Sequence, residues 1–380
     1  MQKIENIVYA GCATRPSPEN RVALLNDAGE MYAALIAALH RAHHTIDLEY
    51  YIFDDDRIGR TISELLIRRA HHGVRVRVIY DLLGSWMPAW GMLRKLRKAG
   101  VEVRYFRPLK GFRLLRWINI RNHRKIAIVD GRVAFLGGIN IARRYLEGTE
   151  LGHWRDEHLK IEGGAASDLR ELFQRDWRAI GGEASDQRRS PSTPHRLKGE
   201  RTLIAWSEEG CSRGVMEQSL VELIRGARNE ILLSTPYYIP TPPLREALTE
   251  ALKRGVRVEL MTPARADLRI ATWAAESYYQ ELLALGGRIF RYKTGFLHTK
   301  MVLIDRRLSS VGTANLDYRS LRTNWEVAAF IDDESFGEKI AQTFSRDRNN
   351  CSNLNPEVWR GRFVLLRLRS RLARLFSRWL

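Results

Sequence analysis

The sequence predicts an α/β protein built as two tandem copies of one domain. Two observations carry this. Amphipathic stretches alternate with short β-branched or aromatic runs along most of the 380 residues, the pattern of helices flanking a sheet read as mostly parallel. The alternation also runs twice, with matching punctuation in each pass. A length of 380 residues suits two domains. A hydrophobic share of 44% and a mean hydropathy of -0.33 supply a core and exclude a disordered or collagen-like chain.

Taken in order, the chain opens on MQKIENIVYAGCATRPSPENR, which has no apolar run of signal-peptide length, so export is not expected. No stretch reaches the ~18 consecutive apolar residues of a membrane span. ALIAALHRAHH then reads as a helix leading to the strand TIDLEYYIF, and a further helix leads to HHGVRVRVIYD and on to AGVEVRYF. In the second half SLVELIRGARNEILLSTPYYIP leads through LREALTEALKRGVRVELMTP to LGGRIFRY. Tyr50-Tyr51 is matched with Tyr237-Tyr238, Gly73 to Val76 with Gly255 to Val258, and the run from Ala99 with that from Leu285. Between the copies, GGEASDQRRSPSTPHRLKGE has no periodicity and reads as a linker. The expected boundaries are 1–180, a linker at 181–200, 201–356, and a tail at 357–380.

The chain carries 62 Lys+Arg against 44 Asp+Glu, a net +18. Fifteen of those charges lie in two acid-free stretches, residues 104–125 and 360–380. Two basic patches imply an anionic partner; composition alone does not choose between nucleic acid and anionic lipid. The three cysteines, Cys12, Cys211 and Cys351, are odd in number and far apart, which argues against a disulfide framework. No Cys/His cluster has zinc spacing, so no metal is expected.

The chemistry-bearing residues are duplicated. NHRKIAIVDGRVAFLGGIN presents His123, Lys125, Asp130, Gly137, Gly138 and Asn140; LHTKMVLIDRRLSSVGTAN presents His298, Lys300, Asp305, Gly312, Thr313 and Asn315. Both fit H-x-K-x4-D-x6-G-x2-N. With ten histidines, and Lys or Asp each at about 6% of positions, two chance copies of the H-K-D part come to roughly 0.1%, so the pair is a signal. His and Lys two apart share a strand face. Asp130-Gly131 and Asp305-Arg306 look like turns into a second strand, and Asn140 and Asn315 return as donors. Two such copies facing each other make a site for a tetrahedral oxyanion, most plausibly phosphate. Asp156 and Glu326, downstream of the two motifs, are candidates to orient the imidazoles. Asp130 and Asp305 belong to the catalytic motif, though their place suits fixing the turn better than touching substrate.

The doubled motif resembles that of the phospholipase D superfamily, H-x-K-x4-D followed by Gly-Ser-x-Asn. The order of elements and the basic aromatic tail are most similar to short bacterial cardiolipin synthases without N-terminal membrane spans. The resemblance implies two phospholipase D-like domains packed as a pseudo-dimer with the site between them. It implies one histidine attacking phosphorus while the other protonates the leaving alcohol and then activates the incoming one, without metal or cofactor. On it, His123 is assigned as nucleophile and His298 as general acid and base, with Lys125 and Lys300 offsetting charge and Asn140, Asn315 and Thr313 holding phosphate. Gly138 departs from the pattern, standing where Ser is usual.

The tail FVLLRLRSRLARLFSRWL has helical periodicity. Leu365, Leu368, Leu372, Leu375 or Phe376, and Trp379 form one stripe; Arg367, Arg371, Arg374 and Arg378 form the other. Each arginine would cost roughly 2.5–3.5 kcal/mol at a bilayer centre. The helix should therefore lie flat on an anionic membrane, the alternative being a helix docked on the protein's own core. The segment RYFRPLKGFRLLRWINIRNHRK interleaves basic and apolar groups and reads as a second membrane-facing loop. The expected partners are an anionic phospholipid, phosphatidylglycerol, and the membrane surface, with no nucleic acid. The expected place is peripheral, on the cytoplasmic face of the cell membrane, and the oligomeric state stays open. Phosphatidyl transfer giving cardiolipin is the leading reading; a phospholipase D hydrolase and a metal-independent nuclease are the alternatives.

Overall fold

The computed structural model describes residues 1–85, 90–106, 120–183, 199–210, 212–377 and 379. The middle of the basic segment and most of the expected linker lie outside these residues. The first half contains strands β1 (Asn20–Leu25), β2 (Thr45–Tyr50), β3 (Arg75–Asp81), β4 (Glu102–Phe106), β5 (Lys125–Val129), β6 (Val133–Gly137), β7 (His153–Arg155) and β8 (His158–Gly163). The second contains β9 (Arg201–Ser207), β10 (Glu230–Ser234), β11 (Tyr238–Ile239), β12 (Arg257–Pro263), β13 (Arg288–Tyr292), β14 (Gly295–Leu297), β15 (Met301–Ile304), β16 (Leu308–Gly312), β17 (Leu316–Asp317), β18 (Glu326–Asp332) and β19 (Cys351–Asn353).

Among the described residues the first sheet runs β1-β8-β6-β5-β2-β3-β4 and the second β9-β18-β16-β15-β10-β12-β13-β19. These are one topology repeated, with β19 added at the second edge. The α/β class and the duplication hold, but the sheets are mixed. Within these two sheets β2-β3-β4 and β10-β12-β13 are parallel and the other described pairings antiparallel; outside them β7 pairs with β14 and β11 with β17, both parallel. The cause is local. Asp130 and Gly131 have φ of 51° and 65°, and Asp305 and Arg306 have 49° and 54°, two consecutive left-handed residues as in a type I′ hairpin turn. So short a connection reverses the chain and leaves no room for a crossover.

Strand register also corrects the tyrosine match. Glu49 pairs with Ile126 as Ser234 pairs with Met301, which sets Tyr238 against Phe53 and puts the two tyrosine pairs two residues out of step. The Gly-Val-Arg-Val match survives: Arg75 lies opposite Thr45 as Arg257 lies opposite Glu230.

Alternation along β5 divides the first sheet's two faces. Ala127 and Val129 pack with Leu35, Ile62 and Leu66 of helices Ala28–His40 and Arg57–His71. Ile126 and Ile128 join a core that runs through helix Gly164–Ala179 into the second half. The N-terminal helix Gln2–Cys12 crosses to that second half: Ile4 and Val8 enter the shared core, and the Thr14 hydroxyl donates to Ile204 O at 2.7 Å.

The tail forms helix Val364–Arg374, docked on helix Arg269–Ala284. It docks through its small and polar face. Ser370, Ala373 and Ser377 are buried, Arg369 and Ser370 reach Glu276 at 2.9 and 3.2 Å, and Arg374 lies over the Tyr278 ring. The apolar stripe faces outward, with Leu365 74% and Leu375 70% exposed. Docking and an outward apolar face therefore coexist, where the periodicity posed them as alternatives. No described helix is long and apolar enough to cross a membrane.

Candidate active site

Each motif histidine stands just before a central strand, and the two strands approach the boundary between the halves. Backbone bonds crossing that boundary fix both histidines. His123 N donates to Trp325 O at 2.9 Å, and Trp325 N donates to Arg121 O at 2.8 Å. His298 N donates to Arg155 O at 2.7 Å, continuing the parallel pairing of β7 with β14.

The carboxylates cross as well. His123 Nδ1 donates to Glu326, 3.0 and 3.1 Å from its two oxygens, and His298 Nδ1 donates to Asp156 at 2.6 Å. Both candidate orienting residues thus touch a motif histidine, each serving the histidine of the opposite half. A carboxylate on Nδ1 fixes the tautomer and leaves Nε2 as the nitrogen without a carboxylate partner. Both histidines line one cavity of roughly 300 Å³, together with Asn140 and Asn315.

The lysines are buried beside them. Lys125 Nζ donates to His123 O at 2.5 Å; Lys300 Nζ donates to His298 O and lies 3.7 Å from Asp156. Burial, only partly offset by Glu326, pushes Lys125 down to about 7. Lys300 is lowered by burial too. Burial, together with the neighbouring lysine, pulls each imidazole down to about 4 in spite of its carboxylate. For Asp156, burial acts upward, but Lys300 and His298 outweigh it and keep the carboxylate below its ordinary value.

Three expectations need correction. Asp130 and Asp305 do not reach the cavity. Each carboxylate accepts three successive backbone N–H groups at the far end of its strand: His43, His44 and Thr45 in one copy, Arg228, Asn229 and Glu230 in the other. Thr313 sits behind Glu326 instead of holding phosphate; its hydroxyl donates to Glu326 Oε2 at 2.5 Å and accepts from Val327 N at 3.0 Å. The stretch 104–125 is not a continuous surface patch. Arg121, Arg124 and Lys125 are buried, and Arg124 is paired with Asp176 and Glu208.

Gly138 follows from the same geometry. Gly138 N bonds Glu157 O as Thr313 N bonds Val327 O, so Gly138 and Asp156 occupy the places of Thr313 and Glu326. The shorter aspartate fills the space a side chain would take: a Cβ on Gly138 would lie 2.3 Å from Asp156 Oδ1. Asp156 is braced by the backbone N–H of Glu157 at 2.8 Å in place of a hydroxyl. Asn140 ties Ile52 N to the Tyr145 hydroxyl, which makes it a frame for the wall as well as a lining group.

Several residues around the two histidines were not foreseen. Tyr51 meets His123 edge-on at 5.1 Å between centroids. Tyr145, Trp154 and Phe296 surround His298 at 5.8, 5.3 and 5.6 Å. Trp154 stands two residues before Asp156, a spacing that places it beside the same site. Arg121, Arg144, Arg319, Asp267 and Asp317 add to the polar lining, and Leu268 and Trp379 are exposed hydrophobics among the lining residues. Only the third dimension brings these together.

Solved structures of distant sequence share this architecture. Phosphatidylserine synthase from Haemophilus influenzae aligns at a TM-score of 0.70 over 100% of this chain and 99% of its own, at 15% identity. Polyphosphate kinase from Porphyromonas gingivalis aligns at 0.60 over 89% of this chain and 49% of its own, also at 15% identity. Fold and doubled site together define an enzyme of the phospholipase D type. A family model described as "Cardiolipin synthase, PLD-like domain" matches residues 35–177 and 220–348, once in each half. A cardiolipin synthase of Geobacillus kaustophilus is 37% identical over 94% of this chain and 72% of its own length. A probable cardiolipin synthase of Bacillus subtilis is 33% identical over the same shares. The chain belongs to this family of phosphatidyltransferases.

Proposed function

We propose that the cavity transfers a phosphatidyl group from phosphatidylglycerol to a second phosphatidylglycerol, giving cardiolipin and glycerol through a phosphohistidine. The observation that carries this is a pair of imidazoles lining one cavity, each fixed by a carboxylate from the opposite half. His123 Nε2 attacks phosphorus, and the bond from phosphorus to the glycerol oxygen breaks as His298 delivers a proton to that oxygen. The acceptor hydroxyl then gives its proton to His298, attacks phosphorus and releases His123. Burial, which holds each imidazole at about 4, keeps both neutral at pH 7, as a nucleophile requires. The bound phosphodiester anion raises the affinity of His298 for the proton it must donate. Lys125 and Lys300 offset charge on the transferring group, with Asn140 and Asn315 as flanking donors.

A lipid substrate is supported by the walls, where Tyr51, Tyr145, Trp154 and Ile239 alternate with the polar groups. A cavity this small takes headgroups and leaves acyl chains outside. Residues 1–180 and 201–356 act as the two catalytic copies. The tail 357–380 seats the enzyme peripherally on the cytoplasmic face of the membrane, its apolar stripe toward lipid and Arg367 and Arg371 at the headgroups. The test is purified protein with headgroup- and acyl-labelled phosphatidylglycerol in vesicles. Cardiolipin with one equivalent of glycerol is expected; phosphatidic acid as the main product would make the enzyme a hydrolase.

A further inference from the structure

Three guanidinium groups line the catalytic cavity from three separate segments: Arg121 before β5, Arg144 on the short helix Arg144–Glu147, and Arg319 on helix Tyr318–Arg322. All three act electrostatically on the Tyr51 phenol, which itself touches His123. Arg121 and Arg319 also act on each other, so two like charges share this space, and Arg121 is only 7% exposed. Arg144 Nη2 meets Asp54 at 3.0 Å while its Nε is buried without an acceptor, and Arg121 Nη1 donates to Ile120 O at 2.7 Å. Each guanidinium carries five donors in a fork that fits phosphate. Asp81 acts on Arg121, Asp54 pairs with Arg144 and Asp317 acts on Arg319, which holds the three charges in the cavity lining before an anion arrives.

The reaction supplies such an anion. The lysines lie against the motif histidines, where phosphorus reacts. An acceptor phosphatidylglycerol brings a second phosphodiester that does not react yet stays negative throughout. Five bonds of about 1.5 Å separate its phosphorus from the attacking oxygen, so it sits within about 7 Å of the reacting centre. We propose that Arg121, Arg144 and Arg319 form a second anion subsite that holds the unreacting phosphodiester of the acceptor lipid and so selects phosphatidylglycerol over water and neutral alcohols. This rests on the phosphatidyl-transfer reading above.

The test uses the full chain with labelled phosphatidylglycerol vesicles and ethanol as a competing neutral acceptor. Both products arise from one phosphohistidine, so their ratio isolates the acceptor step. Arg144→Gln and Arg319→Gln should each lower the cardiolipin-to-phosphatidylethanol ratio at least tenfold. Acid-trapped phosphohistidine should fall less than threefold, and Arg→Lys at either position should recover part of the ratio. An unchanged ratio, or equal loss of both products together with the trapped intermediate, would overturn the subsite. A wild-type enzyme that forms neither product nor intermediate would instead overturn the transfer reading on which it stands.

Discussion

Gly138→Thr should cripple the enzyme, and a second change should repair it. A Cβ at position 138 would stand 2.3 Å from Asp156 Oδ1, where ordinary contact begins at 3.4 Å. The carboxylate must therefore retreat by about 1.1 Å, taking its bond to His298 from 2.6 Å to beyond hydrogen-bonding distance. A hydrogen bond between charged groups contributes about 1.5–3 kcal/mol, which is about 10- to 150-fold in rate. The second copy contains the remedy, because Thr313 and Glu326 fit each other there. Gly138→Thr combined with Asp156→Glu should regain most of the lost kcat/KM, a positive coupling between neighbours. The assay is initial rates on phosphatidylglycerol in mixed micelles, with thermal denaturation as a check on folding. A single variant within twofold of wild type, or a double variant no better than the single, would refute the reasoning.

His123→Ala and His298→Ala should each abolish turnover with the fold retained, and acid quench of the wild type should leave phosphorus on His123; recovery on His298 would reverse the roles. Because burial holds Lys125 at about 7, kcat/KM should fall as pH rises through that value, and Lys125→Arg should move the limb beyond about pH 9. An unfolded lysine titrates near ~10.4, so between about 7 and ~10.4 the unfolded chain binds the extra proton and this group's contribution to stability rises with pH. Chemical denaturation should show wild type gaining on Lys125→Met across that window; a constant difference would show that Lys125 is not perturbed. Leu365→Ser with Leu372→Ser should weaken sedimentation with anionic vesicles by about 100-fold or more, given ~1.5–3 kcal/mol for each fully buried leucine and about 1.4 kcal/mol per tenfold, while turnover of dispersed short-chain substrate persists. Unchanged sedimentation would take the membrane away from this face.

The sequence made the motif histidines and lysines legible because fixed residue types stand at fixed spacing beside a rigid strand, and because duplication printed the pattern twice. Asp156 and Glu326 could be nominated for the same reason. What it hid was which carboxylate serves which histidine, since that depends on how two sheets abut. Parallel and antiparallel strands share one alternation, so strand direction rested on the meaning of Asp130-Gly131 and Asp305-Arg306, whose positive φ values reverse the chain. Thr313 looked like a ligand because its hydroxyl falls at the expected position, yet that hydroxyl spends its proton on Glu326. The tail's periodicity identified an apolar stripe correctly, but periodicity cannot say which face meets protein. That was decided by Ser370, Ala373 and Ser377, small enough to let the helix approach Tyr278 and Glu276.

The exchange of carboxylates between the halves has a consequence for what a fragment can do. A polypeptide ending at residue 183 would carry His123 without Glu326, and one starting at residue 199 would carry His298 without Asp156; the second would also lack helix Gln2–Cys12, which packs on it. Each piece would be silent alone, and mixing the two should restore turnover in proportion to the heterodimer formed. Such complementation makes the enzyme a reporter of proximity: two proteins fused to the pieces would switch on lipid synthesis when they meet.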